Sequence, residues 1–376
     1  MNVTVSSFYA VSALGLGPDE TLANYRARRA PGMRELSGDV PGRSLWFGCV
    51  PAEPPPAADP RWNTRTNRLL DLVCARLPAL GALAAAYGPD RVGIVLGASN
   101  TGIDEAQGYV ERWLDARAAD PSAPPPPGFD FSMIELGTPA RYLKARLGTT
   151  GPAYTVSTAC SSAAKAFGAA RRLLARGVCD AVVAGGVDGR CRFAMNGFHA
   201  LGALSAGRCR PLAADRDGIN LGEGAALFVL VRDGEGPRLA GVGETSDAYH
   251  ATAPDPEGAG AAAAMAAALA DAGLSPRDVD YVNLHGTGTP ANDAMETKAL
   301  DRVLPGWRVG RLDVPNDGAR GAVCESTKDL TGHCLGAAGA VEAAICLTLM
   351  RAGLCRTALS NSFAFGGSNA SLIFTA

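Results

Sequence analysis

The chain has 376 residues, of which 47% are hydrophobic and 19% charged, so it can bury a large core and is not of the disordered class. Its 35 basic and 37 acidic residues give a net charge of −2, which argues against a nucleic-acid-binding protein because such domains are usually strongly basic. None of the ten cysteines forms a C-x-x-C pair, so the sequence lacks the motif that is typical of zinc-ribbon and thioredoxin proteins. The first residues lack the pattern of a signal peptide and no run of 18 apolar residues occurs, so we expect a cytoplasmic protein without a membrane span.

The first part of the chain alternates between strand-like and helix-like patterns. Two Pro-rich segments, 51–60 and 121–128, are predicted to be surface connections because proline is excluded from helix interiors and central strands. The elements predicted from apolar periodicity are a strand from Val3 that ends before the turn at Gly15 and Gly17, a helix over Asn67–Ala86, a strand over 91–99, a strand over Thr155–Thr158, a helix over Ser161–Arg176 and a strand over Ala181–Val187.

The second part repeats this alternation after a turn-rich break at Asp233–Pro237. A strand at Leu227–Val231 ends the first part, and the predicted elements of the second part are strands at Gly241–Val242 and Tyr281–Leu284 and a helix over Gly258–Gly273. Alternating strands and helices favour an α/β protein with buried sheets. We therefore divide the chain into two halves, residues 1–235 and 236–376, that form one integrated domain.

Cys160 stands where a β-prone segment stops and an Ala-rich helix begins. A thiol at a helix N-terminus faces unpaired N–H groups and the positive end of the helix dipole, which lower its pKa. Small residues on both sides leave room for a substrate, so Cys160 is a candidate nucleophile, whereas most other cysteines are expected to be buried apolar groups.

Two of the four histidines lie at ends of predicted elements. His285 follows a strand and precedes a Gly-Thr-rich loop, and His333 lies at a Gly turn before another Ala-rich helix. A cysteine with distant histidines that meet it in the fold is a nucleophilic-catalysis constellation. Lys328 adds a cation near this site, while His199 fits a structural role.

The C-terminal segment NSFAFGGSN at 361–369 contains a Gly-rich loop that permits close backbone approach. An N–H group in such a loop can contribute to an oxyanion hole. The segment lacks both the P-loop lysine and the G-x-G-x-x-G pattern, so it does not predict a phosphate site.

Four motifs together resemble the elongating β-ketoacyl-acyl-carrier-protein synthases of the thiolase superfamily. They are TACSSA at 158–163, HGTGTP at 285–290, STKDLTGHCLGAAG at 326–339 and NSFAFGGSN at 361–369, and their order and rough spacing match over nearly the whole chain. The resemblance implies a thiolase fold, which is a five-layered αβαβα arrangement of two similar halves, and usually a dimer.

The resemblance also implies roles for individual residues. Cys160 would accept the acyl group, His285 and His333 would bind the extender thioester, and Lys328 would accompany them in the active site. Phe365 and Gly366 would form the gate, with N–H groups of Cys160 and Phe365 as the oxyanion hole, and Asp247 and His250 would lie on the mobile loop that faces it. The side chains near which some family members hold a structural cation match Asn283, Glu296, Glu342, Ser360 and Asn361.

The chemistry implied is decarboxylative Claisen condensation of a malonyl thioester with an acyl group on Cys160. It requires no cofactor in the protein, because the substrates are carried on the phosphopantetheine of acyl carrier protein. Two alternatives stay open, namely a non-catalytic subunit like a chain length factor and a Cys-His hydrolase of acyl thioesters.

Further segments, among them LGASNTGIDE, NGFHALGALS and GETSDAYHATAPDPEG, are most similar to ketosynthases of aryl polyene clusters. This similarity implies either a homodimer or a heterodimer with a partner like a chain length factor. Because carrier protein is acidic, we expect basic contacts at the entrance, with Arg65, Arg68, Arg208 and Arg210 as candidates. One departure is that only 18 residues separate Glu342 from Asn361, where the family usually has several dozen. Either this is a true deletion or the sequence given lacks a disordered loop.

Overall fold

The computed structural model describes residues 2–314 and 321–376. Its strands are β1 Val3–Ser12, β2 Gly15–Leu16, β3 Met33–Val40, β4 Arg43–Gly48, β5 Val92–Gly97, β6 Ala153–Val156, β7 Ala181–Asp188, β8 Leu221–Gly222, β9 Gly224–Arg232, β10 Arg238–Ser246, β11 Tyr281–Asn283, β12 Arg308–Val309, β13 Val323–Glu325, β14 Thr357–Ala364 and β15 Ser368–Thr375. Its α-helices are α1 Pro18–Ala27, α2 Arg65–Cys74, α3 Ala79–Tyr87, α4 Ile103–Ala119, α5 Thr138–Leu147, α6 Ser162–Ala175, α7 Arg192–Ala200, α8 Ala259–Ala272, α9 Pro290–Val303, α10 Lys328–Thr331 and α11 Ala338–Arg351. Short 3-10 turns lie at Pro60–Trp62, Pro89–Arg91, Phe131–Met133, Pro276–Asp278, Leu335–Ala337 and Phe365–Gly367.

The large sheet contains the same strand arrangement twice. The first half has the spatial order β6-β5-β7-β9-β1, and the second has β13-β11-β14-β15-β10. Numbered along the chain, both orders read 3-2-4-5-1, with three parallel strands followed by two antiparallel ones. The halves join where β1 pairs with β10 at Thr4 and Arg238. The boundary that we predict after residue 235 lies in the turn between β9 and β10.

The buried side chains divide into layers that follow this duplication. Helices α6 and α11 lie between the two halves of the sheet and share one core cluster, which includes Phe167 and Ile345. Helices α2, α3 and α5 bury leucines such as Leu69 against the outer face of the first half, while α8 and α9 bury Met265 and Leu300 against the second. This αβαβα layering confirms the predicted thiolase fold.

The central layer is built from small residues, which lets its two helices approach closely. A Cβ atom added to Gly339 on α11 would lie 3.0 Å from the backbone nitrogen of Ala164 on α6 and 2.9 Å from Oγ of Ser362. A larger side chain would therefore push α11 away from α6 or from β14. The Ala-rich and Gly-rich motifs thus fix the spacing of the two helices.

The prediction of one helix over 67–86 is wrong, because Pro78 divides this segment into α2 and α3. The two helices meet at an angle of 78°. Proline has no N–H for the helical ladder and its ring clashes with the preceding turn. The predicted helix over Gly258–Gly273 is confirmed as α8, and both glycines cap it in the left-handed conformation.

Two further segments bear on the predictions. Between α11 and β14 the chain makes a five-residue turn, 352–356, with Gly353 at φ +72°, so the short stretch before Asn361 is a tight connection. Within the described ranges, no single helix is long and apolar enough to cross a membrane, and only the bent pair α2 and α3 passes that test jointly, by length and composition.

Candidate active site

The internal repeat places Cys160 and His333 at equivalent positions. Cys160 lies between the third strand of the first half, β6, and the central helix α6, and His333 lies between β13 and the central helix α11. Because α6 and α11 pack against each other, the residues before their N-termini meet. The backbone is strained at both places, since Ala159 and Leu335 adopt positive φ angles of 52° and 50°.

The three predicted reactive side chains converge. Nε2 of His333 lies 2.9 Å from Sγ of Cys160, and the rings of His333 and His285 meet edge to face with centroids 5.4 Å apart. All three residues are nearly inaccessible, with exposed fractions of 7% for Cys160, 2% for His285 and 1% for His333. A thiol and two imidazoles therefore face one small volume shielded from water.

Burial dominates the protonation states of this site. It raises the pKa of Cys160 to about 12, although the cation of Lys328 and the backbone N–H of Phe365 act in the opposite direction. Our prediction of a thiol pKa lowered by the helix N-terminus is therefore wrong, because full desolvation of the thiolate outweighs the favourable dipole. Burial and Lys328 lower the pKa values of His285 and His333 well below the usual value, so both imidazoles are neutral near pH 7.

Lys328 lies behind the histidines and is fully buried. Its ammonium donates to the backbone carbonyl of His285 over 2.5 Å and forms an ion pair with Glu342 of α11. Lys328 begins α10, which follows β13 directly. It therefore ties the loop of His285 to the central helix that follows His333.

Glu296 of α9 positions His285 through the backbone. Its carboxylate accepts the N–H groups of His285 at 2.9 Å and Gly286 at 2.7 Å, and the side-chain amide of Asn361 at 3.2 Å. Burial raises the pKa of Glu296 to about 7. A single carboxylate thus fixes the start of the loop that carries His285.

The residues of the predicted cation site fit a cation only in part. Both oxygens of Glu296 accept N–H groups, and Oδ1 of Asn361 accepts the hydroxyl of Ser371. Within this predicted set, three buried oxygens have no hydrogen-bond partner among the described residues, namely Oδ1 of Asn283, Oγ of Ser360 and Oε2 of Glu342. Asn283 and Ser360 are paired on adjacent strands, and such oxygens are ligands for a hard cation.

The C-terminal Gly-rich loop forms one wall of the entrance. The ring of Phe365, 37% exposed, stacks on Phe198 of α7 with centroids 5.7 Å apart. The N–H of Gly366 donates to the carbonyl of Ala251, and the N–H of Asp247 donates to that of Gly367. The loop that begins at Asp247 therefore packs directly on the predicted gate.

The two residues predicted on that loop have different environments. Asp247 lines the cavity and accepts the side-chain amide of Asn369 over 2.7 Å. His250 is exposed, and its Nδ1 accepts the N–H groups of Thr252 and Ala253 at 3.1 Å each. His250 thus caps a turn in the loop that faces the gate, and its side chain does not line the cavity.

A cavity of about 360 Å³ leads from the surface to Cys160 and both histidines. Its apolar walls include Phe198, Leu201, Ile219, Pro254, Phe363 and Phe365. This volume lies at the lower end of the range for small-molecule sites, and the apolar walls suit an acyl chain.

The four arginines predicted to contact carrier protein are all engaged within the chain. Arg65, whose side chain is 14% exposed, forms two hydrogen bonds with the buried Glu223, and both Arg65 and Arg68 pair with Glu53. Arg208 lies 5.9 Å from the ring centroid of Trp46, and Arg210 pairs with the exposed Asp215. Only the pair formed by Arg210 is largely exposed on both sides.

Sequence reasoning missed two residues of the site. Phe198 lines the cavity and stacks on Phe365, and its position on α7 has no motif that signals this contact. Asp188 accepts the N–H groups of Ser99 and Asn100 at 2.9 and 2.7 Å, and also those of Gly336 and Ala337 after His333. Asp188 could have been found from the sequence, because it is an acidic residue at the end of a fully buried strand. His199 contacts Arg43 and lies outside the cavity lining, in line with the structural role expected.

Comparison with known protein families identifies the chain. Residues 77–235 match the family described as beta-ketoacyl synthase, N-terminal domain, and residues 238–360 match beta-ketoacyl synthase, C-terminal domain. The chain belongs to the β-ketoacyl synthase family. The two matches meet near the break at Asp233–Pro237.

Individual members of the β-ketoacyl synthase family align over different shares of the chain. Nodulation protein E of Rhizobium meliloti is 37% identical over 264 residues, which is 61% of this chain and 63% of that protein. The 3-oxoacyl-[acyl-carrier-protein] synthase 2 of Rhizobium meliloti strain 1021 is 35% identical over 324 residues, or 75% of this chain and 73% of that protein. The chain therefore spans less than two thirds of nodulation protein E.

Among solved structures, the ketosynthase ApeO in complex with its chain length factor ApeC, from Xenorhabdus doucetiae, is similar over the whole fold. The TM-score is 0.90 at 36% identity, with 100% of this chain and 98% of that chain covered. The β-ketoacyl synthase fold is therefore shared from end to end.

Proposed function

We propose that the protein is a β-ketoacyl-acyl-carrier-protein synthase that extends an acyl chain held on Cys160 with a malonyl thioester. The observation that carries this proposal is the convergence of Cys160, His285 and His333, whose reactive atoms lie within 4.8 Å of one another at the end of an apolar cavity. Membership of the β-ketoacyl synthase family supports it.

In the first half-reaction the sulfur of Cys160 attacks the thioester carbonyl of the primer. The thiol proton passes to Nε2 of His333, which lies 2.9 Å away. The new carbon–sulfur bond forms as the carrier thiolate leaves and takes up that proton. The backbone N–H of Phe365 is directed at Cys160 and stabilises the tetrahedral oxyanion together with the N–H of Cys160.

In the second half-reaction the malonyl thioester loses CO₂, and the electron pair of the broken carbon–carbon bond moves onto the thioester oxygen. Neutral His285 and His333 donate Nε2–H groups to this enolate. In the described residues neither Nδ1 atom has a hydrogen-bond partner, so nothing locks the tautomer. His333 can therefore accept a proton first and donate a hydrogen bond later. The enolate carbon then attacks the acyl-Cys160 carbonyl and releases the extended β-ketoacyl carrier.

The two alternatives are less well supported. A non-catalytic subunit has no use for an intact set of Cys160, His285 and His333. A Cys-His hydrolase usually orients its base with a hydrogen bond to Nδ1. No described group accepts from Nδ1 of His333, and a second neutral histidine is already at the site.

The pathway and partners are part of the same proposal. We propose elongation of polyene chains of the aryl polyene type, delivered by acyl carrier protein, within the cytoplasm. The similarity to ApeO, solved with its chain length factor, supports a dimer with a homologous subunit. Strand β6 lies at an edge of the sheet, and its residue Tyr154 is 38% exposed. The unpaired backbone groups of an exposed edge strand are available to pair with a partner subunit.

Exposed apolar side chains on another segment also support a partner subunit. On α4 and the segment after it, Val110, Leu114, Phe129, Phe131 and Leu136 are exposed. Such patches mark protein interfaces. For the carrier we favour Arg210 and Arg208, since Arg65 is committed to Glu223.

A structural cation is a further part of the proposal, restricted to Asn283, Ser360 and Glu342. A cation there would neutralise the free carboxylate oxygen of Glu342 and hold β11, β14 and α11 together. No catalytic step passes through it.

The decisive test is the intact mass of a carrier protein after incubation with this protein, an acyl carrier primer and malonyl carrier. We expect the mass of a two-carbon β-keto extension, absent with Cys160→Ala and present with Cys49→Ala, which removes a half-buried thiol outside the cavity lining. Acyl transfer that yields only free acid would favour the hydrolase. Activity that appears only with a homologue lacking the cysteine would establish an obligate heterodimer.

A further inference from the structure

The reactive atoms of Cys160, His285 and His333 also form a compact set of metal-ligating atoms. Sγ of Cys160 and one ring nitrogen of each histidine lie within 4.8 Å of one another, and Sγ lies 2.9 Å from Nε2 of His333. Across residues 2–314 and 321–376, no other group of three or more His, Cys, Asp or Glu side chains converges in this way.

We propose that this trio is a binding site for a soft divalent cation of the zinc class, held by one thiolate and two imidazoles, and that the bound ion blocks the catalytic centre. Binding is a property of the three side chains and does not depend on whether the protein condenses acyl chains.

The geometry suits a four-coordinate ion. Zinc–sulfur and zinc–nitrogen bonds of about 2.3 and 2.0–2.1 Å place tetrahedral ligand atoms about 3.3–3.6 Å apart. Sγ of Cys160 and Nε2 of His333 are 2.9 Å apart and no separation in the trio exceeds 4.8 Å, so small rotations of the side chains bring the atoms to these values. All three residues line the cavity, which leaves the fourth position open to water or a small thiol.

The donor chemistry suits the same class of ion. Thiolate and imidazole are the ligands that zinc prefers, and Nδ1 of both His285 and His333 has no hydrogen-bond partner among the described residues. Binding forms a bond between the metal and Sγ of Cys160 and releases the thiol proton to solvent, with no change of oxidation state. A metal ion deprotonates a coordinating thiol even where burial alone disfavours the thiolate.

Two features indicate that the ion binds reversibly and is not a permanent part of the protein. The ammonium of Lys328 lies 2.5 Å from the backbone carbonyl of His285, and its positive charge opposes a second cation nearby. Nδ1 of each histidine has no described partner, whereas the histidines of resident zinc sites donate to a carboxylate or carbonyl. Loss of such outer contacts costs about 10–100-fold in affinity. We therefore expect an inhibitory ion that a chelator removes.

The test is titration of the full-length protein with Co²⁺, without substrates. We expect one ion per chain, with a thiolate-to-metal charge-transfer band and the intense visible bands of four-coordinate Co²⁺. Zn²⁺ should displace it and EDTA should abolish both signals. Cys160→Ser, which preserves the shape of the side chain, should abolish the charge-transfer band, and His285→Ala should weaken binding at least tenfold, while Cys49→Ala should bind as the wild type.

Three results would overturn the proposal. They are a band that survives Cys160→Ser in a protein with native circular dichroism, a band lost in Cys49→Ala, and no Co²⁺ bound at millimolar concentration. Because no substrate is present, a protein that binds the ion but fails the carrier-extension assay would refute the proposed function and still support this metal site.

Discussion

Replacement of Lys328 by methionine should destabilise the protein through Glu342. The two side chains are 1% and 2% exposed and form a buried ion pair. Lys328→Met keeps the length of the side chain but leaves the carboxylate of Glu342 without its cation. Breaking a buried pair by removing one partner costs about 3–5 kcal/mol, because the remaining charge stays buried and unpaired.

The loss of stability in Lys328→Met should be larger at high pH than at low pH. Burial raises the pKa of Glu342 to about 7, against 4.5 in the unfolded chain, so the folded chain holds a proton that the unfolded chain releases. Stability therefore falls as pH rises between these values, by about 1.4 kcal/mol per unit. Loss of the cation raises the folded pKa further, so the decline continues above pH 7. Lys328→Met should be less stable relative to the wild type at pH 8 than at pH 6.

The double variant Lys328→Met/Glu342→Leu separates packing from catalysis. Replacing both charges by apolar groups of similar volume is often neutral, so its free energy of unfolding should return to within about 1–2 kcal/mol of the wild type. Its rate in the carrier-extension assay should stay at least tenfold below that of the wild type, because the hydrogen bond to the carbonyl of His285 is still missing. Urea unfolding at pH 6 and 8 and the carrier-extension assay measure both. A single variant as stable as the wild type, or a fully active double variant, would refute this reasoning.

Three further outcomes are expected. Alkylation of Cys160 by iodoacetamide should speed up about tenfold per pH unit from 6 to 9, since its pKa is raised to about 12, and a rate that is already level at pH 7 would contradict this. Phe365→Pro, which removes the backbone N–H, should lower kcat by about 10²–10³-fold, whereas Phe365→Ala should cost less than tenfold, and equal losses would assign the effect to the side chain. Glu296→Gln should cost about 1–3 kcal/mol in urea unfolding, because its amide NH₂ group faces the N–H of His285 or Gly286, and an unchanged free energy would show that these contacts are not needed.

Local patterns were sufficient for the alternation of strands and helices and for Cys160 as a candidate, whereas the thiolase fold and the joint roles of Cys160, His285 and His333 were expected from the resemblance to a known family. The ends of α8 follow from Gly258 and Gly273, and the position of Cys160 follows from a strand that meets an Ala-rich helix. Pro78 was also a readable signal for the break between α2 and α3. These features are determined by residues close together in the chain.

Properties that depend on distant contacts were not readable in this way. The thiol pKa of Cys160 was predicted with the wrong sign, because desolvation comes from elements more than a hundred residues away. Arg65 is a basic residue of the type expected at a carrier contact. Only the fold shows that its side chain forms an ion pair with the buried Glu223. Phe198 likewise reaches the gate through the position of α7.

The duplicated strand order has a consequence for how the protein loses activity. The contact between Cys160 and His333 spans the two halves of the chain, so the thiol and the imidazole are each anchored in a different half. A slip of 1 Å between α6 and α11 would separate the two atoms while each half of the sheet kept all of its hydrogen bonds. The distance between Cys160 and His333 is therefore sensitive to small movements between α6 and α11. Inactivation on warming should precede the loss of secondary structure.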